Sequence, residues 1–389
     1  QNTTQNLQLI SDTAAPGTTP EPENSMVCAA GLSRTAIVLI GFTASCSCAS
    51  SAFVTSGIGI SSRPSAHLAL SPAVRPHHAR VGGGVVRLRS AATLGGQQDA
   101  KQGALSKVAW GQLQSKEFRH PVDLRATRAL ERLFPFPEVF RAGPGAVVEQ
   151  AVYLENLSTS IRVGPNQLPR IHASVLQALK VLNLEDCPVE VFVKQNSQPN
   201  AYTMAMQGKK PFIVIHSSLV DLMTEAELQA VIAHELGHLK CEHGIFITMA
   251  NLLTIAAESL PFVSLFSDAI RGSMMQWMQA AELTCDRAAL LVSQDPKVVV
   301  SVIMKLTGGS RSFASDLNPD AFLKQARDFE EESNNSWIGR RMAASAAQVR
   351  THPLPVTRVQ ELDKWSQSPE YLALLQKGVP LKPLPPAPL

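Results

Sequence analysis

Hydrophobic and polar positions change period along the chain, and the changes mark out its elements. From Lys116 the composition turns globular, and residues 125–133 read as a short amphipathic helix stopped by Pro135 and Pro137. Ala146 to Ser158 keeps a weak helical period. Leu168 to Leu182 keeps a stronger one, with Ile171, Val175, Leu176, Leu179 and Leu182 on one stripe. The pattern then shortens. Val189–Val193, Ala201–Met206 and Phe212–Ile215 read as strands, with Gln-Asn-Ser-Gln-Pro-Asn and Gly-Lys-Lys-Pro as the turns between them. Three short strands leading into helices predict an α+β fold, mainly helical, with a small and mostly antiparallel sheet. His216, closing the last strand, reads as a structural histidine satisfied by a local bond.

Helical period returns strongly from Thr224 to His243. Thr224 followed by Glu227 is a capping box, and Leu228, Val231, Ile232 and Leu236 supply apolar positions. The same helix carries His234, Glu235 and His238, an H-E-x-x-H. Residues four apart share a helix face, so both imidazoles can reach one metal ion. Glu235 sits beside the first of them, where a carboxylate can take a proton from a water held at that ion. Gly237, in mid-helix, costs about 1 kcal/mol relative to alanine; a close helix crossing there would account for it. Cys241 and His243 flank the motif with nothing nearby to complete a second metal site, so both read as ordinary buried residues.

Gly244 to Ala257 is free of charge but short of the roughly 20 apolar residues a spanning helix needs, and reads as buried helix. Met274, Met275, Trp277 and Met278 read as an apolar core face, with a lipid-facing patch as the rival. Next comes A-E-L-T-C-D-R-A-A-L-L from Ala281. Glu282 and Asp286 share a face. A catalytic zinc held by two histidines needs a carboxylate from another helix and an open fourth position, which Glu282 suits. Asp286, one turn on, can hydrogen-bond the free ring nitrogen of a ligand histidine. Alone this would be a surface acidic pair; beside the H-E-x-x-H it reads as part of a site. Helix signals continue over Lys297–Leu306 and end at Gly308 and Gly309. Glu330 to Trp337 reads as a loop, and T-H-P-L-P-V-T-R-V brings His352 and Arg358 before a short helix and a polyproline tail.

Charge divides the chain. From Asn24 to Gln98 there is no Asp, Glu or Lys but there are six Arg, whereas from Ala100 onward 29 basic residues meet 28 acidic ones. A balanced body carries no electrostatic footprint for nucleic acid. Cys187, Cys241 and Cys285, without a C-x-x-C, argue for a reducing compartment rather than a disulfide framework. Residues 1–25 precede the first methionine and are set aside. Residues 26–52 have the basic start and apolar core of a signal peptide, 53–105 have transit-peptide composition, 106–380 form the folded domain, and 381–389 are a Pro-rich tail. The junction S-S-A-F, Ser50 to Phe53, resembles the signature of bipartite leaders in algae with complex plastids. That places the protein in a plastid, in the stroma or at a plastoglobule or thylakoid surface, with a mitochondrion as the alternative.

Together these features resemble the gluzincin metallopeptidases of the HtpX and CAAX-prenyl-protease type, the family-48 metallopeptidases. The likeness runs from about Asn200 to Val359: N-A-Y-T, A-V-I-A-H-E-L-G-H, A-E-L-T-C-D, and H-P followed by Arg358. K-K-P-F-I-V-I-H, H-L-K-C-E-H and the stretch following Asp286 are most similar to the plastid branch associated with plastoglobules. The resemblance implies a zincin-like domain with the sheet packed on the motif helix, and one Zn2+ per chain on His234, His238 and Glu282. It implies Glu235 as general base and Asp286 as a support. His352 and Arg358 would help hold the oxyanion or the substrate, and Asn200, Ala201, Tyr202 and Thr203 would form the strand that pairs with a protein or peptide substrate. Many relatives carry transmembrane helices. None is read in this body, so contact with a membrane or plastoglobule surface would be peripheral. Two other readings stand beside the peptidase: a non-catalytic zinc scaffold, and a latent self-processing protease.

Overall fold

The computed structural model describes residues 107–133, 145–205, 210–250 and 267–381. The segments read as extension, signal, transit and most of the tail lie outside these, as do Pro135, Pro137 and the end of the charge-free run. The helices are α1 (Pro121–Leu133), α2 (Gly145–Thr159), α3 (Pro169–Val181), α4 (Ser217–Leu222), α5 (Glu225–Lys240), α6 (Ser267–Ser293), α7 (Pro296–Gly308), α8 (Pro319–Asn335), α9 (Trp337–Val349), α10 (Pro355–Ser366) and α11 (Pro369–Lys377). The strands are β1 (Val108–Ala109), β2 (Ile161–Arg162), β3 (Glu190–Lys194), β4 (Ala201–Met204), β5 (Phe212–His216) and β6 (Val379–Pro380).

Four strands form the main sheet in the order β2-β3-β5-β4. The outer pairings are antiparallel, as expected, but the central pair β3–β5 is parallel. The chain leaves β3, forms the edge strand β4, and hairpins back into the space between them. That middle position buries every residue of β5, which is why Phe-Ile-Val-Ile is apolar without alternation. The period of two still sorts the faces. Val191, Ala201, Ile213 and Ile215 join the main core, while Phe192, Phe212 and Val214 pack with Tyr202 and Met204 beside Val152 and Tyr153 of α2. His216 Nδ1 lies 2.8 Å from the Gln198 carbonyl, the local satisfaction expected of it. A separate two-stranded clasp, β1 with β6, joins the two ends of the described chain.

Helix α5 is buried on every side from Glu227 to His238, so it is a core helix rather than a surface one. Its capping box forms: Glu227 Oε2 accepts from the Thr224 amide at 2.7 Å, and Thr224 Oγ1 accepts from the Glu227 amide at 3.3 Å. The expected close crossing is present. A Cβ on Gly237 would stand 2.9 Å from Ala288 Cβ and 3.2 Å from the Cys285 Cα of α6. At the end of α5, Glu242 takes a left-handed φ of 53°, turning the chain into a further helical stretch over 243–250. Trp277 and Met278 are buried against Phe246, Ile247 and Met249, the core face expected of them, while Met274 and Met275 are half-buried beside the same cluster. The expected loop at 330–337 is not one. Helix α8 continues to Asn335 and α9 resumes at Trp337, because the three glutamates are good helix formers and only Ser336 breaks the run. Among the described residues no helix is long and apolar enough to cross a membrane.

Candidate active site

Helices α5 and α6 meet across Gly237, and that contact sets how closely their side chains approach. From α5, His234, Glu235 and His238 project into a buried space; from α6, one turn apart, come Glu282 and Asp286, also buried. His234 Nε2 lies 3.3 Å from Glu282 Oε2, and His238 Nε2 lies 3.5 Å from Glu282 Oε1. Ligands about 2.0–2.2 Å from a tetrahedral zinc stand roughly 3.3–3.6 Å apart, so these separations fit two imidazoles and one carboxylate around a single ion. His234 Nδ1 lies 3.2 Å from Asp286 Oδ1, which leaves Nε2 as the nitrogen facing Glu282.

Arg358, from α10, donates from Nε to Asp286 Oδ2 at 2.8 Å and from Nη2 to Asp286 Oδ1 at 2.6 Å. Its fork therefore faces Asp286, where the resemblance had implied a hold on oxyanion or substrate. His352 is half-buried, with Nδ1 3.0 Å from Glu282 Oε2. Edge strand β4 brings Thr203 to Glu235: its hydroxyl donates to Glu235 Oε2 at 2.7 Å. Asn200, just before the strand, and Ala201 within it are buried, and Tyr202 is half-buried.

The electrostatics separate the two glutamates. Burial, reinforced by the charge of Glu282, pushes Glu235 up to about 7 against the opposing pull of His234, Thr203 and His352. For Glu282 burial acts upward too, but His352, His234 and His238 overcome it and hold the carboxyl well below its ordinary range. Burial lowers His238 well below the usual imidazole value, keeping it neutral as a metal ligand must be. The Glu282 charge raises His352. One group thus stays an anion, and the neighbouring one sits where it can take and return a proton near neutral pH. Glu235 Oε1 is buried without a hydrogen-bond partner among the described residues, while Oε2 is held by Thr203.

His234, His238 and Cys285 also bring one donor atom each within 4.8 Å of one another. The thiol is a less suitable third donor than the carboxylate. Cys285 Sγ lies 3.7 Å from His243 Nδ1, on the side where His238 Nδ1 already meets His243 at 3.1 Å. Glu282 faces the two nitrogens that converge. The first reading of Cys241 holds, since it is fully buried, but His243 is more than a buried residue: it touches His238 on one side and Asp123 on the other. The spacing of His243 five residues after His238 was the only sequence signal for this, and Asp123 had none.

A mainly helical α+β domain with an H-E-x-x-H helix crossing a carboxylate-bearing helix defines a metallopeptidase of the zincin-like type, a hydrolase of peptide bonds. Comparison with known proteins agrees. The model of peptidase family M48 matches residues 165–366, and the chain belongs to that family. It is 47% identical over 278 residues to the plastoglobule-localized metallopeptidase 48, chloroplastic, of Arabidopsis thaliana, covering 71% of this chain and 79% of that protein. Over 232 residues it is 23% identical to protease HtpX homolog 2 of Methanosarcina mazei, covering 53% of this chain and 75% of the relative. A 77-residue stretch is 36% identical to protease HtpX of a Psychrobacter species, 20% of this chain and 24% of that one.

Proposed function

We propose that this metallopeptidase is a zinc-dependent endopeptidase of plastid protein turnover or processing, holding one zinc on His234, His238 and Glu282. The observation that carries the reading is the convergence of both Nε2 atoms on the Glu282 carboxylate, with the unpartnered Glu235 Oε1 in the same buried space. When bound, the metal polarises the scissile carbonyl and acidifies the attacking water. Glu235 accepts the water's proton at Oε1 and delivers it to the leaving amine. Its value near 7 suits both transfers, and Thr203 keeps the carboxylate from turning away. His352, beside Glu282 and raised by its charge, is the donor that would hold the developing oxyanion. Arg358 and Asp286 orient His234. Strand β4 lies at the sheet edge, and its backbone from Asn200 to Thr203 offers an extended peptide a partner next to Glu235.

Four features support the compartment and partner. The relative at 47% identity is named for the plastoglobule and the chloroplast, and the acid-free, Arg-bearing segment before Gln98 has targeting composition. Trp337, Ile338 and Met342 are exposed on α9 beside exposed Arg340 and Arg341, a combination that suits peripheral contact with an anionic lipid surface. The body's charge balance favours no nucleic acid.

Casein hydrolysis with and without a chelator, with bound zinc quantified, tests the reading. Glu235→Gln keeps zinc near one per chain and loses turnover, whereas His238→Ala loses both. Equal zinc loss in the two variants would contradict this division of roles, and zinc without any cleavage by the unmutated chain would favour a scaffold or a latent form.

A further inference from the structure

Each imidazole of the motif has a second nitrogen, and its partner decides which nitrogen is left for a metal. For His234 the partner is Asp286. For His238 it is another histidine: His238 Nδ1 and His243 Nδ1 lie 3.1 Å apart, both rings buried. The left-handed turn at Glu242 folds the chain back so that His243 comes under His238. On its far side His243 Nε2 lies 3.2 Å from Asp123 Oδ2 of α1.

Asp123 is wholly buried and surrounded by donors. Trp277 Nε1 reaches Oδ1 at 3.0 Å, Thr127 Oγ1 at 3.1 Å and Arg119 Nη1 at 3.3 Å, while Thr284 Oγ1 reaches Oδ2 at 2.7 Å. The indole and guanidinium N–H groups on Oδ1 can only donate, and the Arg119 charge beside them keeps the group a carboxylate. His243 Nε2 therefore carries the hydrogen it shares with Asp123. In the neutral ring the other nitrogen, Nδ1, is a bare lone pair that can only accept. The hydrogen between the two rings then belongs to His238 Nδ1, and His238 Nε2 is left unprotonated toward Glu282.

We propose that Asp123 and His243 form a hydrogen-bond relay that fixes His238 as its Nδ1–H tautomer, making both positioning residues for the metal. The relay does for the second histidine what Asp286 does for the first, using a different helix and one more ring. It rests on the reading of His238 as a ligand.

Long-range proton–nitrogen correlation spectra of the zinc-free, imidazole-labelled full chain read the tautomer directly; His238 is expected protonated at Nδ1 and bare at Nε2. Zinc affinity, measured by competition with a chromophoric chelator, is expected to fall about 10–100-fold in His243→Phe and in Asp123→Asn. His243→Gln recovers most of it, because an amide can accept from His238 and donate to Asp123 together. Leu374→Ala, a packing loss in the main core on α11, a helix that carries none of the relay residues, lowers the melting temperature and leaves zinc affinity within about twofold. His238 protonated at Nε2 in the unmutated chain would overturn the proposal, as would His243→Phe binding zinc like the parent. If the variants fail to fold, the parent's tautomer decides alone. An unmutated chain that binds no zinc at all would instead remove the ligand reading beneath it.

Discussion

The α5–α6 pair and the α8–α9 arm are both helical, yet they are held by different forces. In the first, every residue of α5 from Glu227 to His238 is buried, the helices touch at a glycine, and the buried carboxylates Glu227, Glu282 and Asp286 face Lys305, the motif histidines and Arg358. In the second, the ion pairs are solvent-facing, with Lys324 at 75% and Asp328 at 58% side-chain exposure, and Trp337 stands 67% exposed. Chemistry that needs positions fixed to fractions of an ångström sits in the first region. The second offers a surface that can change without moving the site.

That contrast can be broken by graded substitutions. The largest effect is expected at Lys305, whose Nζ lies 2.6 Å from Glu227 Oε2 with both side chains nearly buried. Lys305→Met leaves Glu227 charged and unpaired beneath the start of α5, and should cost about 3–5 kcal/mol in denaturant unfolding. The pH dependence has a definite sign. Burial acts to raise Glu227, but Lys305, Ser301 and Thr224 prevail and its folded pKa is lowered. Its contribution is thus full above the unfolded carboxylate range near 4 and is lost as pH falls through the lowered value. In Lys305→Met this acid-limb loss should shrink or reverse in a stability-against-pH series.

Gly237→Val comes next. Its added atoms would meet Ala288 and the Cys285 backbone, so α5 and α6 must separate, at about 1–3 kcal/mol and with weaker zinc binding. A melting curve with a zinc titration checks both. On the arm, Lys324→Ala should stay within about 0.5 kcal/mol of the parent. Trp337→Ser should change stability equally little while reducing flotation with anionic liposomes. A large stability loss there would mean that this face is packed rather than presented.

The legible parts of this molecule were local ones. Thr224, Glu227, His234, Glu235, Gly237 and His238 lie within four turns, so cap, motif and crossing follow from spacing alone. Glu282 and Asp286 were readable because they share one helix face. The parallel β3–β5 pair was not, since strand order depends on where the chain returns, and three short strands fit several orders. Nor was Asp123, which is 120 residues from His243 and looks like an ordinary first-turn acid of an amphipathic helix. Arg358 was picked out, but its attachment to Asp286 depends on how α10 packs on α6, which spacing does not contain. The stretch 330–337 expected as a loop is instead the end of α8, Ser336 and the start of α9, because its glutamates favour helix.

The central claim is that the ion is held by His234, His238 and Glu282 rather than through Cys285. X-ray absorption at the zinc edge of the loaded chain tests it directly. The account predicts only light ligands at about 2.0–2.2 Å, with the multiple scattering of two imidazoles. A zinc–sulfur distance of about 2.3 Å would contradict it and hand the third position to the thiol.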